Sequence, residues 1–265
     1  MNMRAIASRT AALVVAAILF AASAAFGDEV RVMTSGAFTA AYLELVPEFE
    51  RATRNKVVTS FGGSLGNRPE TIPNRLQRGE PADVVILAAS ALDDLIKQGK
   101  VVAGSRVDLV RSSIGMAVRA GAPKPDISSV AALRQTLLRA KSIAYSASAS
   151  GVYISTELFQ RLGIADQVLA KSKNAEGQRV GALVARGEAE IGFQQISELL
   201  PEPGIDYVGP LPHDVQRVTV FSAGIVMGAK KPQQARALIK FLASENAISV
   251  IKKTGLEPVG ASVAR

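Results

Sequence analysis

Short apolar and β-branched runs alternate along this chain with stretches of helical period, and this alternation constrains the fold more than any other feature. Eight strands are predicted, over residues 30–35, 55–61, 82–88, 114–120, 142–146, 190–195, 206–211 and 218–228. Six helices are predicted between and after them, over residues 37–52, 92–98, 129–140, 152–162, 178–186 and 232–242. Strands that alternate with helices form parallel sheets with helices on both faces. The sequence therefore predicts an α/β protein.

The first 27 residues differ in character from the rest of the chain. Arg4 and Arg9 precede an apolar run, and the small residues of AFGDEV follow it. This order is typical of a secretory signal peptide, whereas an anchor helix, the alternative, needs about 20 apolar residues. We predict a signal peptide over residues 1–27 and a mature protein in the periplasm. The chain has no cysteine, so neither disulfides nor a lipid anchor on a cysteine is expected.

The formal net charge of +8 narrows the choice of partners. The Lys and Arg residues are scattered rather than clustered, and aromatic residues make up only 5% of the chain. A nucleic-acid site combines a basic patch or groove with aromatic stacking, so no nucleic acid is expected. The positive balance favours a small anionic ligand.

Three loops between a predicted strand and a predicted helix are rich in serine and glycine. The candidate ligand contacts in them are Ser35, Gly36, Ala37, Gly63, Ser64, Ser146, Ser148, Ser150 and Gly151. Backbone amides at a helix start, together with small hydroxyl donors, bind an anion without a formal positive charge. Ligands of open α/β sheets also lie at the carboxyl ends of the strands. These loops therefore predict an anion-binding site.

Helix capping is the alternative explanation, because serine and glycine before a helix are also what a cap or a turn prefers. One such loop would indicate little, but three of the same kind in one chain favour a binding site. A fourth loop follows the strand at 190–195 and offers the side-chain amides of Gln194 and Gln195. An amide both donates and accepts hydrogen bonds, which suits a ligand with carboxyl groups.

Four stretches are similar to a known family: VMTSGAFTAAYLELVPEFERAT, LQRGEPADVVILAA, SASASGVYISTELFQRLGI and ALVARGEAEIGF. In them the chain resembles the periplasmic molybdate-binding-protein family of solute-binding proteins. The resemblance implies a two-lobed periplasmic binding protein fold (type II-like), with the ligand in a cleft between lobes that close as a hinge. The extended stretches RVDLVRSSIGMAV and VQRVTVFSAGI are placed to cross between the lobes. We predict lobe one over residues 28–112 and 222–265, and lobe two over residues 113–221.

Carried over position by position, the ligand contacts of that family fall on Ser35, Ser64 and the third loop. The sequence departs from the family at two places. Gln195 stands where the common molybdate binders have a tyrosine, and the second loop is longer by residues 67–73. Both departures disfavour a compact tetrahedral oxyanion. Arg68 in the longer loop is a candidate for a bidentate contact with a carboxylate of the ligand. The alternative is that its side chain is only solvated and contacts no ligand.

Three shorter stretches, VMTSGAFTAAY, SASASGVY and GFQQISELLP, are more similar to the aconitate isomerase branch of this family. That resemblance implies a protein that interconverts the cis and trans forms of a tricarboxylic acid by an allylic proton shift, which needs a base in a closed pocket. The alternative is the substrate-binding subunit of an ABC importer for molybdate, tungstate or another small anion. Its partner would be the membrane component of the importer. A monomer is expected.

The sequence does not identify the base. Tyr153 follows the serine loop and is also a candidate ligand contact, Glu176 precedes a predicted helix, and His213 is the only histidine. These three residues are the candidates, and none belongs to a recognisable triad. The chain has no metal-ligand spacing, Walker loop or dinucleotide fingerprint, so neither a metal nor a cofactor is expected.

Overall fold

The computed structural model describes residues 28–259, and the predicted signal peptide therefore lies outside the described residues. The strands are β1 (Glu29–Thr34), β2 (Lys56–Phe61), β3 (Val84–Ala88), β4 (Val107–Ser112), β5 (Ile114–Arg119), β6 (Ile143–Tyr145), β7 (Ser172–Asn174), β8 (Ile191–Gln195), β9 (Ile205–Pro210), β10 (Thr219–Ile225) and β11 (Glu257–Pro258). All eight predicted strands are present among them. No helix within this range has the length and apolar character that crossing a membrane requires.

The helices lie mostly between strands, as the alternation predicts. They are α1 (Thr39–Thr53), α2 (Ile72–Gln77), α3 (Ala89–Lys97), α4 (Val130–Arg139), α5 (Ala149–Tyr153), α6 (Phe159–Arg161), α7 (Ala165–Val168), α8 (Val180–Ala185), α9 (Ile196–Leu199), α10 (Pro232–Leu242) and α11 (Ile248–Lys253). A π-helical turn over Ile154–Leu158 joins α5 to α6, so the helix predicted over 152–162 begins earlier and is not a regular α-helix. Short 3-10 turns complete the chain at Gly36–Phe38, Leu169–Lys171, His213–Val215 and Glu245–Ala247.

Two separate sheets form the centres of two lobes. The first has the strand order β11-β4-β10-β3-β1-β2, and the second has the order β7-β6-β8-β5-β9. The two-lobed α/β fold is therefore confirmed. The chain leaves the first sheet after β4, enters β5 with only Ser113 between them, and returns from β9 to β10. The exact lobe limits, 28–112 with 222–265 and 113–221, stay a prediction, and residues 260–265 lie outside the described residues.

Both sheets are mixed rather than parallel, which corrects the sequence prediction. β1 is parallel to β2 and β3, and β6 is parallel to β7 and β8. The strands that cross between lobes run the other way: β10 is antiparallel to β3 and β4, and β5 is antiparallel to β8 and β9. Each sheet still has a buried core on its faces. In β3, for example, every residue of VVILA is buried, as in a strand covered on both sides.

The two lobes contact each other directly across the space between their loops. The hydroxyl of Ser197, in α9 of lobe two, donates a hydrogen bond to the backbone oxygen of Ala37 in lobe one, at 2.7 Å. The backbone N–H of Ser64 in lobe one donates to Ser148 Oγ in lobe two, at 3.2 Å. The structure therefore shows the lobes closed on one another, with these two hydrogen bonds between them.

Candidate functional site

A cavity of about 520 Å³ lies between the two lobes and is lined by the loops that the sequence singled out. The loops after β1 and β2 line it from lobe one, and the loops after β6 and β8 line it from lobe two. The predicted contacts found in its lining are Ser35, Gly36, Ala37, Gly63, Ser64, Arg68, Ser146, Ser148, Ser150, Gln194 and Gln195. The structure thus brings together residues from all four loops.

Ser35 presents a buried hydroxyl with an unused hydrogen-bonding capacity. The residue is 1% exposed, and its backbone N–H donates to Ile86 O at 2.9 Å, which fixes it at the end of β1. Its Oγ has no hydrogen-bond partner among residues 28–259, and it lines the cavity. Buried polar groups in folded proteins almost always have a partner. Ser35 Oγ is therefore placed to bond a polar group that enters the cavity.

Ser64 is a second buried hydroxyl on the same side of the cavity. Its Oγ accepts a hydrogen bond from the backbone N–H of Ala88 at 3.0 Å. Because a hydroxyl both accepts and donates, Ser64 retains its own hydrogen for an acceptor in the cavity. The hydroxyl of Ser148, which accepts from Ser64 N, retains its hydrogen in the same way.

The serine loop of lobe two combines a binding surface with a helix cap. Helix α5 begins at Ala149 with Ser148 as its N-cap residue, so Ser150 lies inside the first turn. Ser146 Oγ accepts from the backbone N–H of Gly151 at 3.1 Å and lies 2.9 Å from Ser150 Oγ. A Cβ at Gly151 would lie only 1.6 Å from Ser146 O. Gly151 is therefore required by the close turn, and it is not among the residues that line the cavity.

The two glutamines of the fourth loop have different surroundings. Gln194 Oε1 accepts from the backbone N–H of Val180 at 3.0 Å, and its Nε2 donates to Glu198 Oε1 at 2.8 Å. We assign the Gln195 amide from its hydrogen-bond partners, which places Nε2 2.7 Å from Ser112 Oγ, at the crossover between the lobes. Gln194 therefore positions another side chain of the cavity, while Gln195 lines the cavity and contacts the crossover strand β4.

Glu198 is a cavity-lining carboxyl that is not among the residues predicted from the sequence. It lies on α9, four residues after Gln194 of β8. Removal from water raises the pKa of Glu198 to about 7, although the hydrogen bond from Gln194 and the positive charge of Arg179 both act to lower it. The side chain reaches the opposite lobe, because a Cβ built on Gly36 would lie 2.0 Å from Glu198 Oε1. In the sequence, Glu198 is distinguished only as an acidic residue in the first helical turn after a ligand loop. Many helices have such a residue, so this position does not mark a functional group.

Arginines from both lobes contribute positive charge to the cavity. Arg68 lies on the loop after β2, where its Nε donates to Glu70 Oε2 at 3.2 Å. Arg179, the N-cap residue of α8, donates to Glu202 Oε2 at 3.3 Å. Both guanidinium groups are partly exposed and both line the cavity. They are placed where carboxylates of a ligand could pair with them.

None of the three candidates for the base lines this cavity. Tyr153 is 3% exposed in the core of lobe two, where its hydroxyl donates to Val215 O at 2.7 Å. Glu176 lies on an exposed turn with a φ of 35°. The His213 side chain is fully exposed beside Asp214. The structure therefore does not bring these side chains together with the serine loops.

Residues 28–259 contain no group of three or more His, Asp or Glu side chains close enough to hold a metal ion. The polar groups of the cavity are hydroxyls, amides, two guanidinium groups and the carboxyls of Glu70 and Glu198. This set can bind carboxylates and exchange a proton through a carboxyl of raised pKa.

Two α/β lobes around a cleft with polar groups from both sides define a two-lobed periplasmic binding protein fold. The chain belongs to the family of bacterial extracellular solute-binding proteins, whose model matches residues 30–257. The family resemblance predicted from the sequence is therefore confirmed.

Three relatives are informative. An aconitate isomerase from a Pseudomonas species is 49% identical over 230 residues, which are 87% of this chain and 88% of that protein. The molybdate-binding protein ModA of Azotobacter vinelandii is 29% identical over 241 residues, 88% of this chain and 92% of that protein. The solved periplasmic molybdate-binding protein of Azotobacter vinelandii superimposes with a TM-score of 0.69 at 21% identity, covering 86% of this chain and 98% of the other.

Proposed function

We propose that this protein is an aconitate isomerase, which binds aconitate in the interlobe cleft and interconverts its cis and trans forms. The observation that carries the proposal is the 49% identity with an aconitate isomerase over nearly the whole length of both chains. The identity with the molybdate-binding relative is 29%. The hydroxyl, amide and guanidinium groups that line the cavity suit a tricarboxylate such as aconitate better than a compact oxyanion.

The reaction needs only the movement of one proton and one double bond. Aconitate has a central carbon that carries one carboxylate, with a methylene on one side and a double-bonded carbon on the other. Removing a proton from the methylene and adding one to the far carbon shifts the double bond to the other side. The product has the same constitution, and its geometry depends on the conformation held during the shift. The protein must therefore hold three carboxylates and supply an acid–base group.

The cavity offers groups for each of these tasks. In this proposal the hydroxyls of Ser35, Ser64 and Ser148 donate hydrogen bonds to carboxylate oxygens of aconitate. Arg68 on one lobe and Arg179 on the other each pair with a carboxylate of the substrate. Charge-assisted hydrogen bonds of this kind are the strong ones. The negative charge that spreads into the carboxylates as the proton leaves is stabilised by the same donors. A tetrahedral oxyanion would not need so extended a set.

Incubation of the purified protein with trans-aconitate tests the function. Ultraviolet absorbance follows the conjugated double bond, and chromatography separates the two isomers. We expect a mixture of cis- and trans-aconitate that is reached from either isomer, and no conversion with heat-denatured protein. Unchanged substrate after prolonged incubation at high protein concentration contradicts the proposal.

Import of a small anion is the second candidate function, and the relation to the molybdate-binding protein favours it. In that case the protein would deliver its ligand to the membrane component of an ABC importer. Titration calorimetry with molybdate, tungstate, citrate and trans-aconitate distinguishes the two candidates. Tight binding of molybdate without any response to the organic acids would make this the leading function.

We further propose that the mature protein is a periplasmic monomer whose signal peptide is removed after residue 27. The match to a family of extracellular solute-binding proteins supports the location. Cell fractionation and mass spectrometry of the mature chain test the location and the cleavage site. Light scattering of the purified protein tests the monomer, and a mass of two chains contradicts it.

A further inference from the structure

We propose that Glu198 is the catalytic base of the isomerisation, taking the proton from the methylene of aconitate and returning it to the far outer carbon. This inference rests on the proposed function and names the group that performs its chemical step. The three candidates from the sequence lie outside the cavity, whereas Glu198 lines it.

The first support is the hydrogen bonding of the two carboxyls in the cavity. Glu70 accepts from Arg68 Nε at 3.2 Å and is held as half of an ion pair. Glu198 accepts a single hydrogen bond, from the neutral amide of Gln194 at 2.8 Å, and its Oε2 has no partner within residues 28–259. The amide holds one oxygen in place. The other oxygen is left with lone pairs that can take a proton from a bound molecule.

The second support is the ease with which this carboxyl changes its protonation state near neutral pH. Removal from water is the main cause that raises the pKa of Glu198 to about 7, and the hydrogen bond from Gln194 and the charge of Arg179 oppose it. The other charged groups of the cavity are Arg68 and Glu70 on the opposite lobe. A base works best when its pKa is near the working pH, because it then both accepts and releases a proton readily.

The third support is that lobe closure sets the position of this carboxyl. Ser197, its neighbour in α9, donates to Ala37 O in lobe one at 2.7 Å. Gly36, next to Ala37, leaves the space in which the carboxyl lies, since a Cβ there would be 2.0 Å from Glu198 Oε1. The base is therefore seated against lobe one when the lobes close around the substrate.

In the chemical step, the Glu198 carboxylate accepts a proton from the methylene carbon. The electrons of that C–H bond form the new double bond to the central carbon, and the charge spreads into the carboxylate of the far carbon. The neutral Glu198 carboxyl then donates the same proton to the far carbon. The original double bond is consumed there as the new C–H bond forms. The carboxylate is regenerated, and no other reactant is needed.

The Glu198→Gln variant tests this role, with Glu188→Gln as the matched control. Glu188 is an exposed glutamate of the same lobe, ion-paired with Arg186 and outside the cavity. We expect kcat of E198Q to fall by about 10²- to 10⁴-fold, the usual contribution of a general base. Its Kd for trans-aconitate in calorimetry is expected to stay within about threefold of the native value. E188Q is expected to retain the native kcat within about twofold.

Native kcat/KM is expected to rise with pH and to level off above about pH 7, as the carboxylate form of Glu198 becomes populated.

Gly36→Ala gives a second test if E198Q does not fold, because the added methyl group displaces the carboxyl without removing it. We expect G36A to lower kcat by at least about tenfold.

The outcomes separate this inference from the proposed function. If the native protein isomerises aconitate and E198Q loses less than about tenfold in kcat, Glu198 is not the base, while the isomerase function stands. A native kcat in G36A overturns the inference in the same way. If the native protein does not isomerise aconitate, the proposed function fails and this inference falls with it.

Discussion

Replacing Ser35 by alanine is expected to stabilise the ligand-free protein and to weaken ligand binding, two effects of opposite sign. Ser35 is 1% exposed, and its Oγ has no hydrogen-bond partner among residues 28–259. Leaving a buried hydroxyl unpaired costs about 1–3 kcal/mol. The S35A variant removes this cost. We expect the free energy of unfolding without ligand to rise by about 1 kcal/mol, the lower end of this range, because Ser35 lines a cavity that water can enter.

With ligand bound, the same substitution removes a hydrogen bond to a charged group. Such a bond contributes about 1.5–3 kcal/mol, and each 1.4 kcal/mol changes an equilibrium constant about tenfold. The Kd for citrate or trans-aconitate is therefore expected to rise by about 10- to 150-fold in S35A. Urea denaturation measures the stability, and titration calorimetry measures the affinity, both on the same preparation.

Ser222 provides a matched control for this prediction. It is also fully buried in lobe one, but its hydroxyl donates to Asp108 Oδ1 at 2.7 Å. Ser222→Ala leaves a carboxylate without one of its donors, so we expect a stability loss of about 1–3 kcal/mol and no change in affinity. If S35A loses stability as S222A does and binds both acids with native affinity, the reasoning about Ser35 is refuted.

Three further predictions concern Ser146, stabilisation by ligands and the titration of Glu198. Ser146→Ala is expected to cost about 1 kcal/mol in urea denaturation, because Ser146 Oγ accepts from Gly151 N at the start of α5; an unchanged midpoint would contradict this. Citrate or aconitate at a hundredfold excess over its Kd is expected to stabilise the protein by about 2.7 kcal/mol in calorimetric melting, and molybdate by less. Native ligand-free stability is expected to fall relative to E198Q as pH rises from 4.5 through 7, because the fold favours the protonated form of Glu198; parallel pH profiles would contradict this.

The strands and the four loops of the site could be predicted because their signals are local. A strand such as VVILA is recognisable from five consecutive apolar residues. The serine and glycine residues directly follow such runs, and the carboxyl ends of neighbouring strands meet at one edge of a sheet. Ser35 and Ser64, which follow the neighbouring strands β1 and β2, could therefore be assigned to one site without knowledge of the packing. Ser148 follows β6 of the other sheet, and only the resemblance to a two-lobed family joins it to them.

The orientation of the site residues could not be predicted in the same way. Tyr153 is close to the serine loop in sequence, but helix α5 turns its ring into the core, where the hydroxyl finds Val215 O. Ser150 falls inside α5 because the helix begins at Ala149. The mixed pairing of the sheets arises from the two crossings between lobes, which depend on contacts between distant parts of the chain.

Glu198 shows why a base in a two-lobed protein is hard to find from sequence. Helix α9 has four residues, too few to give a periodic signal, and its acid resembles any acid in a first helical turn. What distinguishes Glu198 is its place against Gly36 on the other lobe, a residue far away in the sequence.

The same arrangement explains how a binding fold can carry out proton transfer with few additions. A carrier must close around its ligand and open again, and hydroxyl donors on both lobes are sufficient for that. An enzyme needs, in addition, an acid–base group that is held away from water while the substrate is bound. In this chain the carboxyl of Glu198 and the space at Gly36 lie on opposite lobes, so one closing motion both encloses the ligand and seats the base. An opened cleft would return Glu198 to water, and its pKa would move back towards that of an ordinary glutamate. Substrate enclosure and activation of the base are thus coupled through the geometry of the two lobes.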